Sequence, residues 1–285
     1  MSTGEAVAAP RGSATLARFG KYALLVIVAC VSILPIYWLL SSSVKPADGI
    51  YQFPPDWIPM RLRWSNYAEA WRSAPFGNLY LNSVLVTVVG TFAQITVAVL
   101  SAYAFSFLRF PAKRLLFLLL LGAMMVPGHV VLLPNYMTIA QLGWVNTYAG
   151  LIVPGLGSVF ATFLLRQHML TLDRAVLDAA EVDGAGHLRI LWNVVLPMSR
   201  PMIVTVLIIA LVDKWNDFIW PLITTSAATM RTLPVGLLML KSDEGYTNWG
   251  AVMAATVFVV LPVLVVFFFA QRHIIAGLTQ GATKG

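Results

Sequence analysis

Long continuous apolar runs alternate with short charged segments along this chain, without the period-two alternation of barrel strands. Lys21 to Lys45 encloses 23 residues without formal charge, Arg72 to Arg109 encloses 36, Arg114 to Arg166 encloses 51, and Glu244 to Arg272 encloses 27. About 20 residues rising 1.5 Å each cross a bilayer's hydrocarbon, so the longest run accommodates two helices with a turn between them. Gly143 and Asn146 place that turn near Gln141 to Tyr148. Pro201 to Leu222 supplies a further span, although it carries Asp213, Lys214 and Asp217. The pattern predicts an all-α integral membrane protein with six transmembrane helices, at about 22–42, 79–106, 115–138, 148–165, 201–222 and 250–271.

Composition agrees with this reading. The 285 residues are 59% apolar and only 11% charged, against about 25% charged in a soluble domain, and the mean hydropathy is +0.78. These values exclude a soluble enzyme, a disordered chain and a stand-alone nucleic-acid-binding domain. The single cysteine, Cys30, allows no disulfide within the chain. The first apolar run exceeds a signal-peptide h-region and lacks a small-x-small exit, so it is expected to remain as a span. The net charge of +7 follows from the positive-inside rule rather than from nucleic-acid binding. With the N-terminus cytoplasmic, 12 of the 19 Lys and Arg residues fall on the inner side. The expected order is a cytoplasmic tail (1–21), a six-helix domain (22–271) and a cytoplasmic tail (272–285), with both termini inside a bacterial inner membrane.

One loop is unusual. Residues 166–200 carry four basic and four acidic residues between the fourth and fifth spans. Asp173 or Thr171 is suited to cap an Ala-rich helix over about 174–182, and Gly184 to supply the left-handed residue that ends it. A second helix from about Gly186 is expected to stop near Leu196, ahead of Pro197. Small residues (Ala179, Ala180, Gly184, Ala185) admit another backbone closely, while Asp178, Glu181 and Asp183 offer acceptors to basic groups. Two uses fit this helix-turn-helix: a docking knob for a partner protein, or an amphipathic hairpin on lipid headgroups. Three acids on its first helix disfavour an anionic leaflet.

Asp178-Ala179-Ala180, three residues, Gly184, nine residues and Val194-x-Leu196-Pro197 resemble the EAA loop of bacterial ABC importer permeases, with pattern Glu-Ala-Ala, three residues, Gly, nine residues, Ile-x-Leu-Pro. Asp178 and Val194 depart from it while keeping its chemistry. Arg109-Phe-Pro, Leu142-Gly-Trp-Val-Asn-Thr-Tyr, Trp215-Asn-Asp-Phe and the tail from Gly277 extend the likeness. They are similar to the carbohydrate-type permeases related to the second maltose-transporter subunit. Leu233-Pro-Val-Gly-Leu and Tyr246-Thr-Asn-Trp-Gly resemble the glycerol-3-phosphate or glycerophosphodiester branch. The resemblance implies a type I importer permease that pairs with a second permease. It further implies two copies of an ATPase that bind ATP and Mg, and an extracytoplasmic substrate-binding protein. It also implies that Asp178, Ala179, Ala180, Asp183, Gly184 and Ala185 contact the ATPase while Val194, Leu196 and Pro197 fix the second loop helix. No phosphate cradle of the G-x-x-x-x-G-K-[ST] type occurs in this chain, so ATP hydrolysis is assigned to another chain, and no catalytic or cofactor role is expected here. His129, His168, His187 and His273 are scattered without a metal-ligand spacing.

The fifth span points to a solute path. Its 11 Leu, Ile, Val and Phe residues from 202 to 222 favour insertion by about −3 to −7 kcal/mol, whereas three central charges oppose it by about +7 to +10. Asp213, Lys214 and Asp217 are therefore expected to face protein or a water-filled cavity, with Lys214 in reach of Asp217. Two readings stand: Trp215 stacks on a substrate that Asn216 and Asp217 bind, or these residues form a polar belt between spans. His129, after Pro127-Gly128, is a candidate for substrate contact or for packing, and Asn135 and Tyr136 are further candidates. Segment 46–72 reads as an interfacial loop plus a short helix capped by Asn66 with Glu69 three residues on, anchored by its tryptophans or presented to the binding protein. The alternative function is an ion-coupled secondary transporter that uses Asp213 and Asp217.

Overall fold

The computed structural model describes residues 11–240 and 247–279; the chain ends, with the last residues of the tail motif, and Tyr246 lie outside the described residues. In chain order the helices are α1 (Arg11–Ser43), α2 (Ala47–Tyr51), α3 (Ser65–Ser73), α4 (Phe76–Phe107), α5 (Lys113–Ala123), α6 (Leu132–Gln141), α7 (Tyr148–Ile152), α8 (Val159–Met169), α9 (Arg174–Val182), α10 (His187–Ile190), α11 (Leu196–Trp215), α12 (Ile219–Thr224), α13 (Leu233–Gly236) and α14 (Trp249–Thr279). Among the described residues no strand occurs. Four uninterrupted helices, Arg18–Ser43, Phe76–Phe107, His187–Trp215 and Trp249–Gln271, are long and apolar enough to cross a bilayer. Two bent pairs, Lys113–Ala123 with Gly128–Gln141 and Tyr148–Gly155 with Val159–Met169, bring the number to six when each is one span.

The chain forms two compact units, one made of the residues up to Ala70 with segment 242–257, the other of Trp71–Lys241 and Phe258–Gly285. In the first, Asn66 overturns the expected capping role. It lies inside α3, buried, and its amide donates to the carbonyls of Ser43 (3.0 Å) and Lys45 (2.8 Å), tying down the end of α1. Those carbonyls have no intrahelical partner, so a buried amide there satisfies a helix end that water cannot reach. The Lys45 ammonium is buried, donates to the Asp56 carbonyl and stands 4.2 Å from the centroid of the Trp38 ring. Burial pushes its pKa down, partly offset by the Asp56 charge. Glu69 accepts from Arg63 (2.7 Å) and from Asn248 (2.9 Å) instead of completing a capping box.

The second unit is built on α4. Its faces toward α8 and α11 are lined by small residues, Ala98 and Ala102 meeting Ala161 and Ala210 in one buried cluster. Apolar lipid gives helices little hydrophobic reason to associate, so close backbone approach and interhelical hydrogen bonds carry the packing. Asn82 on α4 donates to the carbonyls of Thr229 and Arg231 (2.8 and 2.9 Å) and accepts from the Tyr148 hydroxyl (2.7 Å). Ser83 accepts from the Leu233 N–H at 2.7 Å.

The turn expected between Gln141 and Tyr148 is present, with Gly143 at φ +69° and Asn146 at +58°. The Asn146 side chain accepts the N–H groups of Ser226 and Ala227 at 2.8 and 2.9 Å, which fixes the turn to the end of α12. Two boundaries differ from expectation. The third span is bent by 93° between Ala123 and Gly128, where extended Pro127 interrupts it. The helix of the fifth span begins at His187, passes through Pro197 and Pro201, and ends at Trp215 rather than Leu222. Residues Leu191–Val195 form a π-turn in which the Leu196 N–H bonds to Leu191 O, five residues back. This wider turn, immediately ahead of Pro197, makes room for a ring that would clash with a regular helix.

Candidate functional site

Three interrupted spans converge on one cavity. The bend at Pro127-Gly128 brings in His129 and Asn135, the kink after α7 brings in Pro154 and Gly155, and the end of α11 brings in Lys214, Asn216 and Asp217, around a volume of about 770 Å³. A cavity of this size is in the range of small-molecule sites. Its position follows from backbone physics, since non-helical backbone at membrane depth needs protein or water to satisfy its polar groups. Five of the path residues expected from sequence, His129, Asn135, Lys214, Asn216 and Asp217, line it together.

The other three lie elsewhere. Asp213 lines an adjoining cavity of about 310 Å³ with Gln94, Lys214 and Asp217. Tyr136 is half-buried on α6 outside the lining. Trp215 fits the second of its two readings, a contact between spans: it is buried, its indole N–H donates to Val259 O at 2.9 Å, and it meets Tyr80 edge-on at 6.0 Å. Residues 214, 215 and 216 diverge by about 100° each around a helix, so the neighbours of a cavity-lining lysine need not face the cavity. The aromatic side chains that do line the cavity are Phe218 and Trp220, and the Trp220 indole donates to Gly150 O at 3.0 Å. Sequence reasoning missed Trp220 and Gln94; an isolated amide in an apolar run was the available signal for Gln94.

Lys214, expected within reach of Asp217, makes no ion pair with it within 4.0 Å. Its ammonium donates to the Gly155 carbonyl at 3.3 Å, and its stem passes Gly90, where an added Cβ would lie 3.2 Å from Lys214 Cδ.

The first helix and turn of the 166–200 loop take the form their residues predict, whereas the second helix runs on through Pro197 into the fifth span instead of stopping near Leu196. Asp173 caps α9 by accepting the Ala175 N–H at 2.9 Å, and Gly184 adopts φ +77° one residue past the helix C-cap. One face of the loop is pinned: Leu177, Ile190, Leu191 and Val195 are buried in the same cluster as α4, α8 and α11, with Ala180, Ala185, Val194 and Leu196 partly buried against it. The opposite face presents Asp178, Ala179, Asp183 and Gly184 outward, with Pro197 exposed farther along. A groove of about 250 Å³ between the two loop helices is lined by Ala180, Asp183, Ala185, Arg189, Asn193 and Val194. Val182 is 87% exposed and Leu188 71%, values that leave apolar surface uncovered beside the groove.

Comparison with known proteins gives a consistent result. An sn-glycerol-3-phosphate transport system permease protein of Yersinia pestis bv. Antiqua is 35% identical over 264 residues, covering 90% of this chain and 94% of that protein. The protein of the same description from Pectobacterium atrosepticum is 33% identical over 267 residues, covering 91% and 95%. The fold matches a chain in the crystal structure of a bacterial ABC transporter involved in the import of the acidic polysaccharide alginate. The TM-score is 0.83 and the identity 23%, over 93% of this chain and 98% of that one. A second match, with TM-score 0.64 and 14% identity over 88% and 92%, is to bacterial alginate ABC transporter in complex with an alginate pentasaccharide-bound periplasmic protein. Residues 94–280 match the family described as binding-protein-dependent transport system inner membrane component, and the chain belongs to that family of multi-pass membrane permeases.

Proposed function

We propose that this chain forms half of the translocation path of an ATP-driven importer for a sugar, sugar-alcohol phosphate or glycerophosphodiester, with both termini cytoplasmic. A second permease supplies the other half, two copies of a separate ATPase dock below, and a substrate-binding protein delivers solute from outside. The observation that carries this reading is the unbroken helix from His187 in the loop to Trp215 beside the cavity. A displacement of the loop by ATPase closure moves the cavity wall with it, because a packed helix shifts as a body rather than deforming. The outward Asp178, Ala179, Asp183 and Gly184 and the Ala180–Val194 groove form the docking surface, and Val194 and Leu196 hold the rod against the core while Pro197 lies exposed on it.

The substrate range is supported by the names of the relatives and by the polar groups of His129, Asn135, Lys214, Asn216 and Asp217 in an otherwise largely apolar cavity lining. The ion-coupled alternative built on Asp213 and Asp217 has no support from the family, which is defined by binding-protein-dependent systems. The test is uptake into vesicles carrying the complete assembly. ATP-dependent uptake that survives collapse of ion gradients is expected, and uptake sustained by a gradient without the ATPase overturns the proposal.

A further inference from the structure

The cavity holds the Lys214 ammonium and the Asp217 carboxylate, with the Asp213 carboxylate in the adjoining cavity, and the ammonium makes a direct ion pair with neither. Lys214 and Asp217 are three residues apart at the end of one helix, a spacing that permits a direct ion pair. Among the described residues, however, the only Lys or Arg within 4.0 Å of a carboxylate is Arg63 with Glu69. Lys214 instead runs away from its own helix. Gly90 on α4 and Gly155 after α7 leave its route open: a Cβ on Gly90 would stand 3.2 Å from Lys214 Cδ, and one on Gly155 would stand 3.0 Å from Nζ. An ammonium carries three N–H donors, and among the described residues this one donates to the Gly155 carbonyl, at 3.3 Å. Lys214 is also the only Lys or Arg among the residues lining the larger cavity.

A charge at membrane depth is unfavourable unless something uses it. Were Lys214 present to neutralise Asp213 and Asp217, direct pairing would do so at no further expense. The two glycines instead leave room for it to lie apart from both carboxylates. Asp217 receives only a 3.4 Å contact from the Trp220 N–H, so its carboxylate retains acceptor capacity toward the same cavity. A ligand that satisfies both ends presents an anionic oxygen to the ammonium and hydroxyl hydrogens to the carboxylate, with Asn135 and His129 in the same lining.

We infer that Lys214 determines the charge specificity of this permease and that its solute is a polyhydroxylated anion, whose phosphate or carboxylate seats on Lys214 Nζ while hydroxyls seat on Asp217. This rests on the transport reading above and narrows it to acidic solutes. Charge-assisted hydrogen bonds of this type discriminate strongly in a site of low dielectric.

The experiment uses the complete transporter in proteoliposomes, with binding protein and ATP, and four probes: sn-glycerol 3-phosphate, galacturonate, glycerol and maltose. The wild type is expected to import at least one of the anions in preference to glycerol and maltose. Preference for the neutral solutes overturns the inference, whereas ATP-dependent import of none of the four counts against the importer reading instead. For the imported anion, Lys214→Met is expected to reduce uptake efficiency by about tenfold or more, the scale of one lost charge-assisted hydrogen bond, and Lys214→Arg to retain most of it. Lys214→Cys in a Cys30→Ser background separates charge from packing. Modification by an aminoethyl methanethiosulfonate, which restores an ammonium, is expected to recover uptake, and the neutral propyl reagent is not. Equal recovery by both reagents, or full activity of Lys214→Met, overturns the assignment.

Discussion

Gly184 offers a sharp separation of folding from docking. Its φ of +77° lies in the left-handed region, and a Cβ built there meets no atom within 4 Å. Gly184→Ala therefore perturbs the isolated chain only through backbone strain, about 1–2 kcal/mol for a non-glycine residue in that conformation. That is about a 5- to 30-fold shift in the population of the turn. Asn and Asp tolerate the left-handed region better than Ala, so Gly184→Asn and Gly184→Asp should leave the turn nearly intact. Both add a side chain to the outward face, and Asp adds a fourth carboxylate beside Asp178, Glu181 and Asp183. The assay is co-purification of the ATPase with affinity-tagged permease, alongside membrane yield and thermal stability. All three variants are expected to insert normally. Gly184→Ala should lose part of the bound ATPase, and Gly184→Asp should lose it entirely despite a thermal midpoint near that of Gly184→Asn. Stoichiometric ATPase on a stable Gly184→Asp permease would refute the docking role.

Three further outcomes follow from other residues. Trp215→Phe removes the donor to Val259 O and should destabilise the permease by about 1–3 kcal/mol, read as a lower thermal midpoint, while the KM for solute stays unchanged; a KM rise at unchanged stability would return Trp215 to the path. Asn66→Leu should cost about 1–3 kcal/mol by leaving the Ser43 and Lys45 carbonyls buried without their amide; an unchanged midpoint would show that the end of α1 does not depend on it. For Glu69, burial raises the pKa, but the hydrogen bond and charge of Arg63, with Ser65 and Asn248, outweigh it and hold the carboxyl below its usual 4.5. The folded state thus favours the carboxylate. The resulting stability is present above about pH 4.5 and is lost as pH falls through the lower folded value. Glu69→Gln should flatten the fall in thermal midpoint between pH 6 and pH 3, and an unchanged slope would contradict it.

The loop was legible because its signals are local. Asp173 as cap, the Ala-rich run and a left-handed Gly184 each depend on neighbours within one turn. The path residues were legible as a set, since charge or amide at membrane depth must face a cavity or protein. Which of them share a cavity depended on the 93° bend in the third span, which Pro127-Gly128 announces as a break but not as an angle. Pro197 was read as a helix stop because a regular helix cannot accept it, and the π-turn that admits it has no fixed residue signature. Trp215 could not be assigned to path or packing because polar neighbours on both sides concealed a helix face directed inward, to Val259. Asn66 followed by Glu69 matched a capping box in spacing, yet the asparagine's donors serve a different helix 21 and 23 residues earlier.

Coupling of this kind requires the loop and the cavity wall to move as one rod. Spin labels at Leu188, in the loop, and Asp213, beside the cavity, are separated by 25 residues, or about 37 Å along a helix, and both sites are exposed. Pulsed electron spin resonance on the complete, cysteine-substituted transporter would measure this distance without nucleotide and after vanadate trapping, together with the distance from Asp213 to Asn135 on the opposite wall. The first distance should stay constant and the second should change between the two states. A change in the first, with the second fixed, would contradict the coupling.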